Sequence, residues 1–111
     1  MKDLESLEEL YETLRQDGPV LLCFRADWCG DCHYIQPALA GLEEEFSGRV
    51  RLVGLDIDEF PDAARFHDVS GIPSFILFHR SREIYRLVNS RRKTKEEVKD
   101  FLEKGLTLIH P

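Results

Sequence analysis

Two kinds of hydrophobic spacing alternate along the chain, and together they predict its elements. Ser6-Leu7-Glu8-Glu9 has the spacing of a capping box, and Leu7, Leu10, Tyr11 and Leu14 follow at helical intervals until Asp17-Gly18-Pro19. Lys2 to Glu5 reads as a short leading strand. Val20-Leu21-Leu22-Cys23-Phe24 is a continuous apolar run, the mark of a strand buried on both faces. Ile35, Leu39, Leu42 and Phe46 outline a second amphipathic helix, kinked at Pro37 and ended by Ser47-Gly48. Val50 to Ile57 is a second buried strand, and Pro61 opens a short helix through His67. After the turn Ser70-Gly71-Ile72-Pro73, strands Phe75 to Phe78 and Glu83 to Val88 flank the polar turn His79-Arg80-Ser81-Arg82. Thr94-Lys95-Glu96-Glu97 is a second capping box, opening a helix with Val98, Phe101, Leu102 and Leu106 inward.

The resulting order, (β)αβαβαββα, places helices between the early strands and so implies parallel pairing through right-handed crossovers. The last two strands are close enough for an antiparallel hairpin. The expected class is α/β: a central mixed sheet of four to five strands with helices on both faces. With 111 residues and no repeat or linker, residues 1–111 are expected to form one domain. A net charge of −6 argues against general nucleic-acid binding. The start Met1-Lys2-Asp3-Leu4-Glu5-Ser6 lacks the apolar stretch of a signal peptide, and no apolar run approaches the roughly 20 residues of a membrane span. The expectation is therefore the cytosol, where thiols stay reduced. The three cysteines are an odd number, which excludes a fully paired framework.

Cys29 and Cys32 fall where a buried strand gives way to a helix. Unpaired N–H groups and partial positive charge at a helix start favour a thiolate, the nucleophile of disulfide exchange. A second thiol one turn on can close the bond again. A zinc site would need two further ligands that the neighbourhood does not supply. His33, His67, His79 and His110 have no neighbours that spell out a site, and there is no phosphate-binding glycine loop or serine-nucleophile motif.

Phe24-Arg25-Ala26-Asp27-Trp28-Cys29-Gly30-Asp31-Cys32 resembles the active-site segment of thioredoxins, with its Trp-Cys-Gly-Pro-Cys. Pro37 stands where that family kinks its helix, and Gly71-Ile72-Pro73-Ser74 resembles its cis-proline loop. Asp before the second cysteine and an Arg-Lys-Thr stretch before the last helix resemble the small thioredoxin-like proteins of Gram-positive bacteria. The resemblance implies a thioredoxin fold and a cytoplasmic, monomeric protein-disulfide reductase. It implies Cys29 as exposed attacking thiolate, Cys32 as buried resolving thiol, and a redox-active Cys29–Cys32 disulfide in place of a bound cofactor. Pro73 would be cis and face the dithiol. Trp28, Ile72, Pro73 and Asn89 would receive substrate, and Asp58 would hold the Trp28 N–H. Gly30, Asp31 and Arg25 would modulate the site. The implied partners are disulfide-bearing proteins, with thioredoxin reductase or a small thiol as reductant, and neither nucleic acid nor membrane. Two alternatives stay open: glutaredoxin-like reduction of mixed disulfides with a low-molecular-weight thiol, and a redox-sensing module that binds a partner.

Four departures from the family pattern bear on strength. Cys23 occupies the place of the family's buried Asp, thought to take the proton of the resolving thiol, and Gly54 replaces its accompanying lysine. Water or Asp56 is then left to move that proton. Asp31 replaces the intervening proline, and its charge should disfavour the Cys29 thiolate. Arg25 replaces a frequent tryptophan, with a charge available to offset Asp31 or to pair with Asp27 or Asp58. Asn89-Ser90-Arg91-Arg92-Lys93 is expected as a solvated basic loop, with attraction of acidic partners as its functional alternative.

Overall fold

The apolar run from Val20 becomes the middle of a sheet. The structure, a computed structural model, describes residues 1–109, so His110 lies outside it. The elements are β1 (Lys2–Asp3), α1 (Leu7–Leu14), β2 (Val20–Arg25), α2 (Gly30–Glu45), β3 (Arg51–Asp56), α3 (Pro61–Phe66), β4 (Ser74–His79), β5 (Arg82–Leu87) and α4 (Lys95–Thr107). The strands lie in the order β1-β3-β2-β4-β5. The pairs β1–β3 and β2–β3 are parallel, while β2–β4 and β4–β5 are antiparallel. This is the expected mixed sheet of four to five strands, realised with five.

Because successive strand residues face opposite sides, β2 serves two cores at once. Val20, Leu22 and Phe24 join Leu10 and Leu14 of α1 and Ala63 of α3 on one face. Leu21 and Cys23 join Ile35, Leu39 and Leu42 of α2 and Val98, Phe101 and Leu102 of α4 on the other. Helices therefore cover both faces, and every residue from Val20 to Phe24 is buried. Helix α2 runs on through Pro37. Helix α4 carries the full capping box expected at Thr94 and Glu97.

Some expectations shift. In α1 the inward residues are Leu10, Thr13 and Leu14, whereas Leu7 and Tyr11 keep 40% and 38% of their surface. Leu106 is half-buried rather than fully inward. The turn between β4 and β5 tightens to Arg80 and Ser81, both at positive φ (52° and 67°), which suits the twist of a hairpin.

His67 sits among rings, with centroids 6.1 Å from Phe24, 5.1 Å from Phe66 and 5.6 Å from Phe78. Its Nε2 has no hydrogen-bond partner among the described residues. Burial among apolar groups pushes the imidazole pKa below its ordinary value. The unfolded chain therefore binds the His67 proton at a higher pH than the folded protein does. The resulting stability is complete above the ordinary value of about 6.5 and is lost as pH falls toward the lower folded value. Urea unfolding of the protein and of His67→Phe should show a stability difference that shrinks or reverses in favour of the variant between neutral and mildly acid pH. A difference independent of pH would refute the buried neutral imidazole.

Candidate active site

The carboxyl end of β2 leads through Ala26 and Trp28 to Cys29, the N-cap of α2. Its extended backbone (φ −85°, ψ 107°) turns the sulfur back over the helix start, where Sγ accepts the Cys32 N–H at 3.1 Å. That bond satisfies one of the unpaired donors of the first turn and brings the two cysteines onto one turn. All three cysteines are free thiols. Burial, and then hydrogen bonding with Cys29, pushes the Cys32 thiol up to about 12, so it holds its proton at neutral pH.

The expectation of an exposed Cys29 needs correction: the residue is only 6% exposed. It is reached through a groove of about 490 Å³ lined by Trp28, Asp31, Gly71, Ile72 and Ser90 among others. Trp28 forms one wall, 68% exposed, with Nε1 donating to Asp58 Oδ2 at 2.7 Å. Ile72 forms part of another, and the Ile72–Pro73 peptide bond is cis. Pro73 itself lies lower and lines a cavity of about 20 Å³ together with Cys23, Cys32 and Phe75. That space has room for about one water.

Gly71 is needed by close approach. A Cβ there would stand 2.6 Å from Ser90 N and 2.7 Å from Asn89 C. The two loops therefore meet backbone to backbone, and Ser74 Oγ lies 2.5 Å from Gly71 O and 3.2 Å from Asn89 O. Ser90, not Asn89, lines the groove. The Asn89 side chain is used within its own loop, its Oδ1 accepting the Arg91 N–H at 2.9 Å.

The charged neighbours sort differently from expectation. Arg25 lies 2.5 Å from Asp27 and 3.8 Å from both Asp3 and Asp56, so it pairs with neither Asp58 nor Asp31. Asp56 accepts the Asp58 N–H at 2.9 Å and lies 3.8 Å from that arginine. Asp31 is instead met by Arg92, Nε to Oδ1 at 3.0 Å, and the Arg92 guanidinium lies 4.1 Å over the Tyr34 ring. The basic loop is not simply solvated. Lys93 is 1% exposed, its Nζ donating to Asn89 O at 2.9 Å and Arg91 O at 2.6 Å. Cys23 is wholly buried, and burial pushes its thiol far above the ordinary range. Sequence reasoning missed Ser90, Tyr34 and the burial of Lys93. One signal was present: Lys93 immediately precedes the N-cap Thr94, a position that favours buried apolar residues. Among the described residues, no cluster of three or more His, Cys, Asp or Glu could hold a metal ion.

Two thiols sharing one helical turn beside an open groove fit thiol–disulfide exchange, with the CxxC pair as the working group. Comparison with known proteins agrees. The Thioredoxin family model matches residues 4–104. The chain is 40% identical over 100 residues to Thioredoxin H2 of Arabidopsis thaliana, covering 89% of this chain and 69% of the relative. It is 30% identical over 95 residues to Thioredoxin 1 of a Nostoc species, covering 86% and 87%. The oxidized mitochondrial Thioredoxin 3 of Saccharomyces cerevisiae matches with a TM-score of 0.78 at 29% identity, covering 98% and 95% of the two chains. The chain belongs to the thioredoxin family.

Trp28 is the sole tryptophan, so its fluorescence reports the Asp58 contact directly. Asp58→Ala should change the emission intensity or maximum of the reduced protein while altering unfolding stability by less than about 0.5 kcal/mol. Unchanged emission would show that the indole is not held there in solution.

Proposed function

We propose that this chain reduces protein disulfides, with Cys29 as nucleophile and Cys32 as resolving thiol. The observation that carries the assignment is the Cys29 sulfur at the N-cap of α2, receiving the Cys32 N–H at 3.1 Å. Cys29 opens on the groove at the helix start, whereas Cys32 lines the small interior cavity and keeps its proton. The proposed order of attack follows from that difference in access.

In the first step the Cys29 thiolate attacks one substrate sulfur. A Cys29–substrate S–S bond forms, the substrate disulfide breaks, and the departing thiolate takes a proton. Trp28 and Ile72 offer apolar walls to the substrate, and the Ile72 backbone suits an extended peptide adding as a strand. Pro73 packs beneath and keeps that strand site against the dithiol, while Ser90 takes over the contact expected of Asn89. Gly30 leaves the groove floor open, as nothing lies within 4 Å of a Cβ placed there. Arg92 offsets the Asp31 charge that would oppose the thiolate. In the second step Cys32 attacks Cys29, releasing reduced substrate and leaving the Cys29–Cys32 disulfide. A flavoprotein thioredoxin reductase or a small thiol restores the dithiol.

The same reading has residues 1–111 working as one monomeric domain in the cytosol, where the unpaired Cys23 stays reduced. The Trp-Cys-Gly-Asp-Cys segment and the Arg-Lys-Thr stretch support the Gram-positive bacterial type.

Insulin reduction with dithiothreitol, and then with NADPH and thioredoxin reductase, tests the assignment. The protein should be active in both. Cys29→Ser should lose about a hundredfold or more of that activity. Cys32→Ser should accumulate a stable mixed disulfide through Cys29. Activity only with a small-thiol relay would replace this reading with glutaredoxin-like chemistry, and a Cys29→Ser variant that still forms the mixed disulfide would reverse the roles.

A further inference from the structure

The second step needs negative charge to develop on Cys32, and Cys32 faces a different space from its partner. Cys29 lines the groove, whereas Cys32 lines the interior cavity of about 20 Å³. Ile35, Leu39, Pro73 and Phe75 make much of that cavity apolar, and Cys23 adds a thiol that burial keeps neutral. Among the described residues, Arg25 is the one cationic side chain on the cavity wall, and it does not line the groove.

The strand register explains how Arg25 comes to be there. It follows Cys23 by two positions on β2 and so shares its face of the sheet. Across that face Cys23 stands beside Gly54 and Gly54 beside Asp3, with Arg25 beside Asp56 in the next row. Gly54 has no side chain to fill its place, and a Cβ there would collide with Asp3 Oδ1. The Asp3 carboxylate thus lies over Gly54 and comes within 3.8 Å of Arg25 Nη1, as does Asp56, while Asp27 takes Nη2 at 2.5 Å. Carboxylates from three segments fix the guanidinium, and the Arg25 side chain keeps only 17% of its surface. The hydrogen bond to Asp27, with Asp3 and Asp56 behind it, holds the arginine charged at every working pH.

We propose that Arg25 is a positioning residue for the second step: from the wall of the cavity its fixed guanidinium offers positive charge to the Cys32 sulfur as that sulfur attacks the mixed disulfide. The proposal rests on the dithiol reading above. Burial, and then the hydrogen bond with Cys29, keep the proton on Cys32, and Arg25 acts in the opposite sense. The charged and titratable groups around the pair are Asp3 of β1, Cys23 of β2, Asp27 of the loop after it, Asp56 of β3 and Cys29 at the start of α2. Lys93, before α4, is coupled to Cys32 as well. The Met1 amino group is taken by Glu43 of α2 at 2.9 Å. None of the three carboxylates lines the cavity, so the cation is the charge presented there. In the step itself the Cys32–Cys29 S–S bond forms and the Cys29–substrate bond breaks. The electron pair leaves on the substrate sulfur, and the Cys32 proton reaches that sulfur through water. Arg25 keeps its own protons throughout.

Stopped-flow reaction with a bis-nitrobenzoate disulfide separates the steps, because each attack releases one coloured thiolate. The first phase reports Cys29 and the second reports Cys32. Arg25→Met should slow the second phase about tenfold at neutral pH and move its pH profile upward by roughly one unit. The first phase should stay within about twofold, and Arg25→Lys should restore part of the second. Asp3→Asn should act the other way, speeding the second phase about twofold, because it removes a partner that tempers the guanidinium. A cluster that only holds the strands together would lose rate in both variants. Slowing of the second phase by Asp3→Asn, an unchanged second phase in Arg25→Met, or equal slowing of both phases overturns the proposal. Should Arg25→Met fail to fold, Asp3→Asn decides alone, since it leaves the arginine in place. A faster second phase with its pH profile moved downward then supports the proposal, and an unchanged one overturns it. Absence of any first phase in the unmodified protein would instead condemn the dithiol reading beneath it.

Discussion

The bond from the Cys32 N–H to the Cys29 sulfur is the constraint on which the site depends. It makes a reactive atom the cap of a sixteen-residue helix. The helix cannot lose that cap without leaving a backbone donor unpaired, and the cysteine cannot leave the cap without losing its partner thiol. Structure and chemistry thus use one geometry. The rest of the fold holds this junction still: β2, buried along both faces, aims the chain at the helix start, and α2 is locked onto the second core by Ile35, Leu39 and Leu42.

Around the junction, two loops meet backbone to backbone. The Gly71–Ser90 approach admits no Cβ, and Ser74 bridges two carbonyls across the same gap. Arg92 adds an ion pair whose partners keep 58% and 37% of their side-chain surface. An exposed pair of this kind contributes little to stability, so its value lies in orientation: it keeps the Asp31 charge turned toward a cation.

The elements were legible because each follows a local rule. Continuous apolar runs marked β2 and β4, a full capping box opened α4, the Ser6 half of one opened α1 while Glu9 turned to the Glu5 N–H, and Pro61 opened α3. The cysteine pair was legible for the same reason, since strand end, helix start and CxxC spacing are all local. What sequence could not place was tertiary. The partner of Asp31 lies 61 residues away. Arg25 had several acidic neighbours in reach, and only the fold chose Asp27, Asp3 and Asp56. Lys93 was grouped with two arginines by charge, although its place before the N-cap sends it inward while they stay outside. Charge patterning averages over a loop; burial is decided residue by residue.

The outer strands have a consequence for how the molecule behaves in company. A molecule proposed to take extended chains into its groove would stack with its own copies if the sheet margins were equally receptive. They are not. The strand β1 on one margin has two residues, both charged. The β5 margin carries Glu83 and Arg86 locked together, with Arg86 also bonded to the His67 and Asp68 carbonyls, and a register shift interrupts its ladder to β4. Short, charged and irregular margins deter further strands. Further strand addition is thus deterred at both margins of the sheet, away from the groove beside Cys29.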